Sequence, residues 1–371
     1  MKKGFTLIEL LAVIVILAII ALIAVPTITG IVEKAKKGGA RESANGYNDA
    51  INKQMSLNLM DNDDTNDINK GIIDAPFDSK YNLKVKGQVP TKGWVEVLKD
   101  GVNRYSLVIG EYVVSYDGIN NTVVKGTEPN PKPSFATDSW EVIINNVRNG
   151  KADVYNLGDT KEVDMGEFGT HTVRIANMST PSECSTEGFS ETACGFVIEF
   201  NDIITSHVMN PTTDDNQYGT SKGGWPATSM REYVNSDIYN SLPSDLKMGI
   251  IDTKVVSGHG SSDSINFTSM DKLYLLSQKE VYDEFDSSFI YNTDTADSAT
   301  RQLDYYKKLG VTTSNYSNIG KKNNSNELVR WWLRSACSSN DYIFYFVDIS
   351  GMRLNHFANT EHNISPAFRI G

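Results

Sequence analysis

Apolar residues dominate the first 25 positions of the chain and are much sparser afterwards. Only Thr6 and Glu9 interrupt the apolar run from Phe5 to Val25. At about 1.5 Å of rise per residue, a helix over these 21 residues is about 30 Å long, which matches the hydrocarbon core of a bilayer. The pattern therefore predicts a membrane-spanning helix over residues 5–25.

The helix is expected to continue beyond Pro26. Apolar residues fall at three- and four-residue spacing: Ile28, Ile31, Val32 and Ala35, then Tyr47, Ile51 and Met55. This spacing predicts a helix that reaches about residue 59 and packs one face on a head domain. Pro26 lacks a backbone donor and is expected to kink or loosen the helix.

An acidic run, residues 61–67, follows the predicted helix. A calcium-binding loop is one interpretation, but the run lacks the glycine and the terminal glutamate of an EF-hand loop. A solvated loop is therefore favoured.

From Tyr81 the apolar pattern changes to alternation, with turn signals at Asp100-Gly101 and Asp117-Gly118. Four short strands are predicted: Trp94–Leu98, Tyr105–Ile109, Tyr112–Tyr116 and Thr122–Val124. They predict an antiparallel meander over residues 81–125, packed on the second half of the helix. An unrelated β-module gives the same pattern.

Residues 126–137 are predicted to be a linker, because Pro129, Pro131 and Pro133 make a stiff, extended spacer. The rest, residues 138–371, mixes helical and strand patterns. The helices are predicted at Trp140–Val147, before Pro243 and at Lys279–Phe285, and the strands at His171–Asn177, Phe196–Phe200, Lys272–Ser277, Trp331–Ser335 and Tyr342–Ile349. The fold class is α+β: a long N-terminal helix packed on a small antiparallel sheet, followed by a separate mixed α+β domain.

Length and composition agree with this division. A chain of 371 residues with 40% hydrophobic and 22% charged residues suits two or three globular domains. The region after residue 25 is rich in Asn, Ser, Thr and Asp, as expected for an exported, solvent-facing body. The net charge is −11, and no basic stripe occurs, so the sequence predicts no nucleic-acid partner.

The three cysteines are unevenly spaced. In an oxidising exterior, a disulfide between Cys184 and Cys194 is predicted, with Cys337 far from both. The alternative to this disulfide is three unpaired thiols. No C-x-x-C pair occurs, so a zinc ribbon or thioredoxin-like chemistry has no support.

The basic residues Lys2 and Lys3 precede the apolar run, which predicts a cytoplasmic N-terminus and an exported remainder. A cleaved secretory signal fits poorly, because its apolar core is usually shorter. A plain signal anchor does not account for Glu9, an ionisable group that is costly in lipid and therefore indicates function.

The segment from Lys3 to Leu10, KGFTLIEL, resembles the type III signal of type IV prepilins and pseudopilins. The resemblance implies that a prepilin peptidase cuts between Gly4 and Phe5 and methylates the new amine of Phe5. The apolar helix then remains as membrane anchor in contact with lipid and later as the spine of a filament. In this family Glu9 pairs with the N-terminal amine of a neighbouring subunit, Pro26 bends the helix, and the partners are other pilin subunits and the pilus assembly platform.

Four motifs of the C-terminal region are similar to an uncharacterised domain in surface proteins of Gram-positive bacteria. They are Trp225-Pro226, Leu275-Leu276-Ser277, Trp332-Leu333-Arg334-Ser335 and Pro366-Ala367-Phe368. That domain in turn resembles C-type-lectin-like and formylglycine-generating-enzyme-like folds. The resemblance covers residues 138–371 and implies ligand binding.

Exposed aromatic side chains stack on sugars, and Trp225, Trp332, Tyr342 and Tyr345 are the candidates for binding a surface glycan or host protein. The alternative is that they are core residues. Trp331 and Trp332 are adjacent in a predicted strand, so one is expected to face inward and the other outward. Arg334 is expected to neutralise a buried carboxylate.

Catalytic patterns are weak. No G-x-S-x-G elbow occurs, and the five histidines include no helical i,i+4 pair. No catalytic residue, metal ligand or cofactor is predicted. The sequence thus predicts a minor or tip pilin with an adhesive second domain. The alternatives are a pseudopilin of a secretion or competence machine and a membrane-anchored enzyme.

Overall fold

The computed structural model describes residues 6–61, 68, 71–283 and 294–371. The chain forms two compact units, Met1–Lys132 and Pro133–Gly371. The division falls inside the predicted linker. The predictions made for Gly4, for Phe5 and for the acidic run at residues 62–67 lie outside the described residues.

A single helix, α1 (Leu7–Asp61), dominates the first unit and confirms the predicted helix to about residue 59. It is long and apolar enough to cross a membrane, with a mean hydropathy of 3.2 over its most apolar 18 residues. None of that window is buried within the chain. This apolar surface therefore requires lipid or another protein as its environment.

The second half of α1 packs on the head, where Tyr47 and Ile51 are fully buried and Met55 nearly so. The prediction that Ile28 and Ile31 belong to the same packed face is wrong, because they are 58% and 62% exposed. The head covers α1 only from about Ala40 onward, and the preceding turns extend past the edge of the sheet.

The head sheet has five antiparallel strands in the order of the chain. They are β1 (Gly71–Ala75), β2 (Lys92–Leu98), β3 (Gly101–Ile109), β4 (Tyr112–Tyr116) and β5 (Asn121–Lys125). The predicted meander is confirmed for β2 to β5, and the sequence analysis missed β1.

Backbone contacts fix the head to α1. The amide of Phe77 donates to the Tyr47 hydroxyl at 2.7 Å, and the amide of Val102 donates to Asn52 Oδ1 at 2.8 Å. At Gly46 a Cβ atom would clash with the carbonyl oxygen of Lys86. The close approach of chain and helix there requires glycine.

The first half of the predicted spacer packs on the head sheet. The Trp94 indole donates to the carbonyl of Asn130 at 2.7 Å, and the Asn130 amide donates to Ser106 Oγ at 2.8 Å. Lys132 Nζ lies 2.9 Å from Asp74 Oδ1. Residues up to Lys132 therefore belong structurally to the first unit.

The second unit is a mixed α+β body, as predicted. Its helices are α2 (Trp140–Arg148), α3 (Ser229–Tyr233), α4 (Tyr239–Ser241), α5 (Ser244–Lys247), α6 (Gln278–Val281) and α7 (Asp304–Lys308), with a π turn at Val234–Ile238. Its strands are β6 (Thr160–Asp164), β7 (Thr170–Asn177), β8 (Phe196–Phe200), β9 (Thr205–Val208), β10 (Thr253–Ser257), β11 (Phe267–Asp271), β12 (Lys321–Lys322), β13 (Leu328–Val329), β14 (Trp331–Ala336), β15 (Ile343–Val347), β16 (Arg353–Phe357), β17 (Glu361–Ile364) and β18 (Ala367–Ile370).

Two larger sheets organise this unit, in the orders β16-β15-β14-β17-β9 and β18-β8-β7-β6. β14 and β17 are parallel, and the other pairs are antiparallel. Their inner faces share one apolar core. The prediction of a strand at Lys272–Ser277 is wrong. That segment is an extended, mostly buried connection, in which Tyr274 forms an isolated bridge with Ala367 and the carbonyl of Leu276 accepts from the Arg334 amide at 2.9 Å.

Candidate functional site

The N-terminal end of α1 has a reciprocal cap. The Thr6 amide and hydroxyl donate to Glu9 Oε2 at 2.9 and 2.8 Å, and the Glu9 amide donates to Thr6 Oγ1 at 3.3 Å. This is a capping box, in which residues three apart satisfy each other's backbone donors. Glu9 therefore stabilises the start of the helix while its side chain stays exposed.

Pro26 lies inside α1, and the helix continues through it. Proline removes one helical hydrogen bond from the preceding turn. Two neighbouring hydroxyls bond to carbonyls of that region: Thr27 Oγ1 donates to Ile23 O at 3.0 Å, and Thr29 Oγ1 donates to Val25 O at 2.9 Å. The roles predicted for Glu9 and Pro26 in filament assembly stay predictions.

Three of the four side chains predicted to bind a ligand are buried. Trp225 and Trp332 are fully buried, and Tyr345 is 2% exposed. The Trp225 indole donates to Asp271 Oδ2 at 2.8 Å, and the Trp332 indole donates to the carbonyl of His207 at 3.1 Å. These three residues are part of the core, so the structure corrects their prediction as solvent-facing binding groups.

The adjacent Trp331 is also fully buried, so the prediction that one of the two tryptophans faces outward is wrong. Lys321 Nζ lies 4.6 Å from the Trp331 ring, whereas Trp332 packs against Phe346 and His362. Strand β14 is central in its sheet, and both of its faces are covered. The alternation of side chains along a strand indicates which face each occupies, but not whether that face is buried.

Arg334 confirms its predicted role. Its Nη1 atom donates to Glu280 Oε2 at 2.6 Å, and both side chains are completely buried. Thr300 Oγ1 donates to the same carboxylate at 2.9 Å, and the Ser277 amide does so at 2.9 Å. Burial alone raises the pKa of Glu280, but the Arg334 charge and these hydrogen bonds hold it below its ordinary value. Glu280 is therefore ionised and fully engaged.

The structure pairs Cys184 with Cys194 in a disulfide, as the sequence predicts for an oxidising exterior. Cys337 is buried in the core, with its Sγ 3.4 Å from Ser339 Oγ.

Two histidines that the sequence leaves separate have their rings in contact. Nδ1 of His356 lies 3.1 Å from Nε2 of His362, beside the rings of Trp332 and Phe346. Burial, together with His356, lowers the pKa of His362 to about 4. Within the described ranges, no group of three or more His, Cys, Asp or Glu residues is placed to hold a metal ion.

Tyr342 is the one predicted ligand-binding residue that is exposed, and it lies beside two further exposed rings. The Tyr218 ring centroid is 4.6 Å from that of Phe357 and 6.0 Å from that of Tyr342. All three residues are 38–40% exposed. We call Tyr218, Tyr342 and Phe357 the aromatic platform. Tyr218 was not predicted from the sequence, because its signal there is a lone aromatic residue in a polar loop.

A pair of poorly solvated carboxyl groups lies near α6. Asp294 is 4% exposed, and Asp297 accepts a hydrogen bond from Gln278 Nε2 at 2.8 Å. The other oxygen of Asp297 is buried with no hydrogen-bond partner among the described residues. Burial raises the pKa of both groups, and the charge of Asp294 helps to raise the pKa of Asp297 to about 8.

The contribution of this carboxyl pair to the stability of the second unit should therefore decrease as the pH rises from about 4 to about 8. In this pH range the carboxyl pair of the folded chain keeps a proton, whereas the unfolded chain has released that proton. Asp297→Asn removes this component, so its free energy of unfolding should fall less than that of the parent between about pH 5 and pH 8, or should rise. Unfolding of the full-length chain near pH 5 and pH 8 measures the difference. Asp214→Asn, at an exposed carboxylate, is the control, and equal pH slopes for Asp297→Asn and the parent would contradict the prediction.

Two family models match the chain. The prokaryotic N-terminal methylation motif matches residues 1–25, and a domain of unknown function, DUF6273, matches residues 201–371. The second match includes all four C-terminal motifs, from Trp225 to Phe368, whereas the resemblance to C-type-lectin-like folds rests on those motifs alone. A search of curated proteins and a search of solved structures find no match.

The methylation motif coincides with the start of the apolar helix α1. A signal of this type implies processing by a prepilin peptidase and assembly with other pilins. The helix also fits membrane anchoring. The chain thus carries the N-terminal signal of a type IV pilin-like or pseudopilin-like precursor.

Proposed function

We propose that the protein is a minor or tip subunit of a type IV pilus, with the second unit presented at the cell surface for adhesion. The observation that carries this proposal is the methylation motif at the start of helix α1. The apolar surface of that helix is not covered by the chain itself. Lys2 and Lys3, before the apolar run, support an orientation with the N-terminus in the cytoplasm and the head outside.

Assembly gives the exposed apolar residues of α1 a new environment. In the membrane, lipid covers residues from Leu7 to Val25, and in a filament the helices of neighbouring subunits cover them. Glu9 is then surrounded by apolar groups and pairs with the N-terminal amine of the next subunit. Such a pair defines the register between helices, because any other register leaves a charge unpaired.

The size of the second unit favours a minor or tip subunit. Residues 133–371 form a body larger than the pilin-like unit itself. A body of this size on every subunit would crowd the surface of a filament, whereas at the tip or at sparse positions it is accommodated.

A pseudopilin of a secretion or competence machine is the second candidate, because the methylation motif is common to both classes. Deletion of the gene separates the two. Loss of filaments or of surface adhesion supports the pilus subunit, and loss of secretion or of transformation with filaments intact supports the pseudopilin.

The mature N-terminus tests the shared pathway. We expect mass spectrometry of the protein from its native membrane to show a chain that begins with N-methylated Phe5, because the peptidase removes residues 1–4 and methylates the new amine. Gly4→Leu should leave the precursor uncut, since a small residue is needed at the cleavage site. An intact Met1, or a cut near residue 25, would overturn the proposal.

A further inference from the structure

We propose that the aromatic platform of Tyr218, Tyr342 and Phe357 is a binding site for neutral carbohydrate chains. The proposal deepens the adhesive role above and rests on the second unit being presented outward. It identifies the ligand class of that unit and the side chains that bind it.

The three rings form an exposed aromatic cluster on the second unit. Each keeps 38–40% of its surface accessible, although the core of the same unit completely buries larger side chains such as Trp331 and Trp332. The planes of Tyr218 and Phe357 differ by only 26°. Adjacent exposed aromatic rings of this kind mark interaction sites.

The platform is held in place by the backbone, although its rings come from three separate segments. The Ala358 amide donates to the Tyr342 carbonyl at 2.8 Å, and the Asn359 amide donates to the Tyr218 carbonyl at 3.2 Å. Both donors directly follow Phe357 in sequence. The platform is therefore pre-organised, which reduces the entropy lost when a ligand binds.

A glycine allows this close approach. Gly219 has a φ of +72°, and a Cβ atom there would lie 3.0 Å from the Asn359 amide nitrogen and 2.6 Å from the Asn210 carbonyl oxygen. The loop that carries Tyr218 can meet the segment after Phe357 only with glycine at this position.

The polar groups around the rings are amides. Gln217 directly precedes Tyr218, and Asn355 lies two residues before Phe357 on the same face of β16. Both side chains are exposed. Amides both donate and accept hydrogen bonds, as sugar hydroxyls do. The ring surface that the stacked Tyr218 and Phe357 leave exposed, with exposed amides near it in sequence, suits a pyranose ring, which has apolar C–H groups on its faces and hydroxyl groups at its edge.

The charges of the region select a neutral sugar. Asp341, next to Tyr342, is buried and accepts hydrogen bonds from the amide and hydroxyl of Ser262. Asp214 and Asp215, in the loop of Tyr218, are exposed. Lys222 is the cation that acts on Asp341. The carboxylates of Asp341, Asp214 and Asp215 outnumber it, so their repulsion opposes phosphate, sulfate and uronic-acid groups.

The test uses the full-length protein in detergent and three neutral oligosaccharides, maltohexaose, cellohexaose and chitohexaose, in calorimetric titrations. We expect at least one of them to bind. Tyr342→Ala and Phe357→Ala should each weaken that binding by about tenfold or more, because each removes a stacking surface. Tyr342→Phe, which keeps the ring, should stay within about threefold of the parent. Met248→Ala, at a residue that is 68% exposed and outside the platform, should bind as the parent does.

Absence of binding to all three sugars would overturn the carbohydrate assignment. Equal binding by the parent and both alanine variants would overturn the platform as the site. A preference for acidic glycans, or for a protein partner at the same rings, would also overturn the proposal. These failures are distinct from failure of the pilus function, because the methylation of Phe5 and the filaments are measured on the same strain and do not involve the second unit.

Discussion

Glu9→Gln should abolish filament assembly and leave processing intact. Glutamine at the third position of a helix keeps a capping box with Thr6, so the variant loses the charge and retains the cap. An amine left without its carboxylate in an apolar filament costs about 3–5 kcal/mol, which lowers the population of assembled subunits by about a hundredfold or more. Filaments counted by electron microscopy and sheared protein detected by immunoblot measure the loss.

Two matched variants separate charge from helix structure. Thr6→Val removes the hydroxyl of the cap but keeps the carboxylate, and it should cost only about 1 kcal/mol of helix stability and reduce filaments modestly. Glu42→Gln removes an exposed carboxylate from the same helix, beyond its membrane segment, and should assemble normally. If Glu9→Gln subunits polymerise as the parent does, the pilin assignment loses its physical basis.

Arg334→Met should destabilise the second unit by about 3–5 kcal/mol, because it leaves the buried carboxylate of Glu280 without its counter-charge. For a unit of this size the melting temperature should decrease by about 6–20 °C. Tryptophan fluorescence of the full-length chain in detergent reports the transition, since Trp94 alone of the five tryptophans lies outside the second unit.

A second substitution, combined with Arg334→Met in a double-mutant cycle, identifies the cause of the lost stability. Adding Glu280→Gln to Arg334→Met removes the unpaired charge and should recover part of the lost stability. The single Arg334→Met variant should also become relatively more stable as the pH is lowered and Glu280 is protonated. Lys279→Met breaks a partly exposed ion pair between α6 and Asp283, which follows the helix, and should change stability by less than about 1 kcal/mol. A similar loss in Lys279→Met and Arg334→Met would exclude the buried pair as the cause.

Helix α1 and the strands β2 to β5 could be predicted because their signals are local. The run from Phe5 to Val25 is long and apolar, and the strands alternate between turn dipeptides. Strand β1 was missed because it has only five residues, Gly71–Ala75, beside an acidic run and before Pro76. Its place in the sheet depends on pairing with β2, which is more than fifteen residues away.

The candidate binding site was predicted only in part for the same physical reason. Sequence periodicity identifies which face of a strand a residue occupies, but it does not reveal what covers that face. Trp332 and Tyr345 are enclosed by elements distant in sequence, and Tyr218 and Phe357 become neighbours of Tyr342 only through long-range backbone hydrogen bonds. Arg334 was predictable because a buried guanidinium almost always needs a carboxylate.

The reciprocal cap at Thr6 and Glu9 has a consequence for the lifetime of a filament. Both of its residues lie after the cut between Gly4 and Phe5, so each mature subunit retains them. Both of the Thr6 donors reach the same oxygen, Oε2, and a second subunit can be bound through Oε1. Release of a subunit then breaks no bond inside its own helix, and a chain that returns to the bilayer is ready to be used again. In the proposed filament, a subunit that is released can therefore be assembled again without refolding the start of its helix.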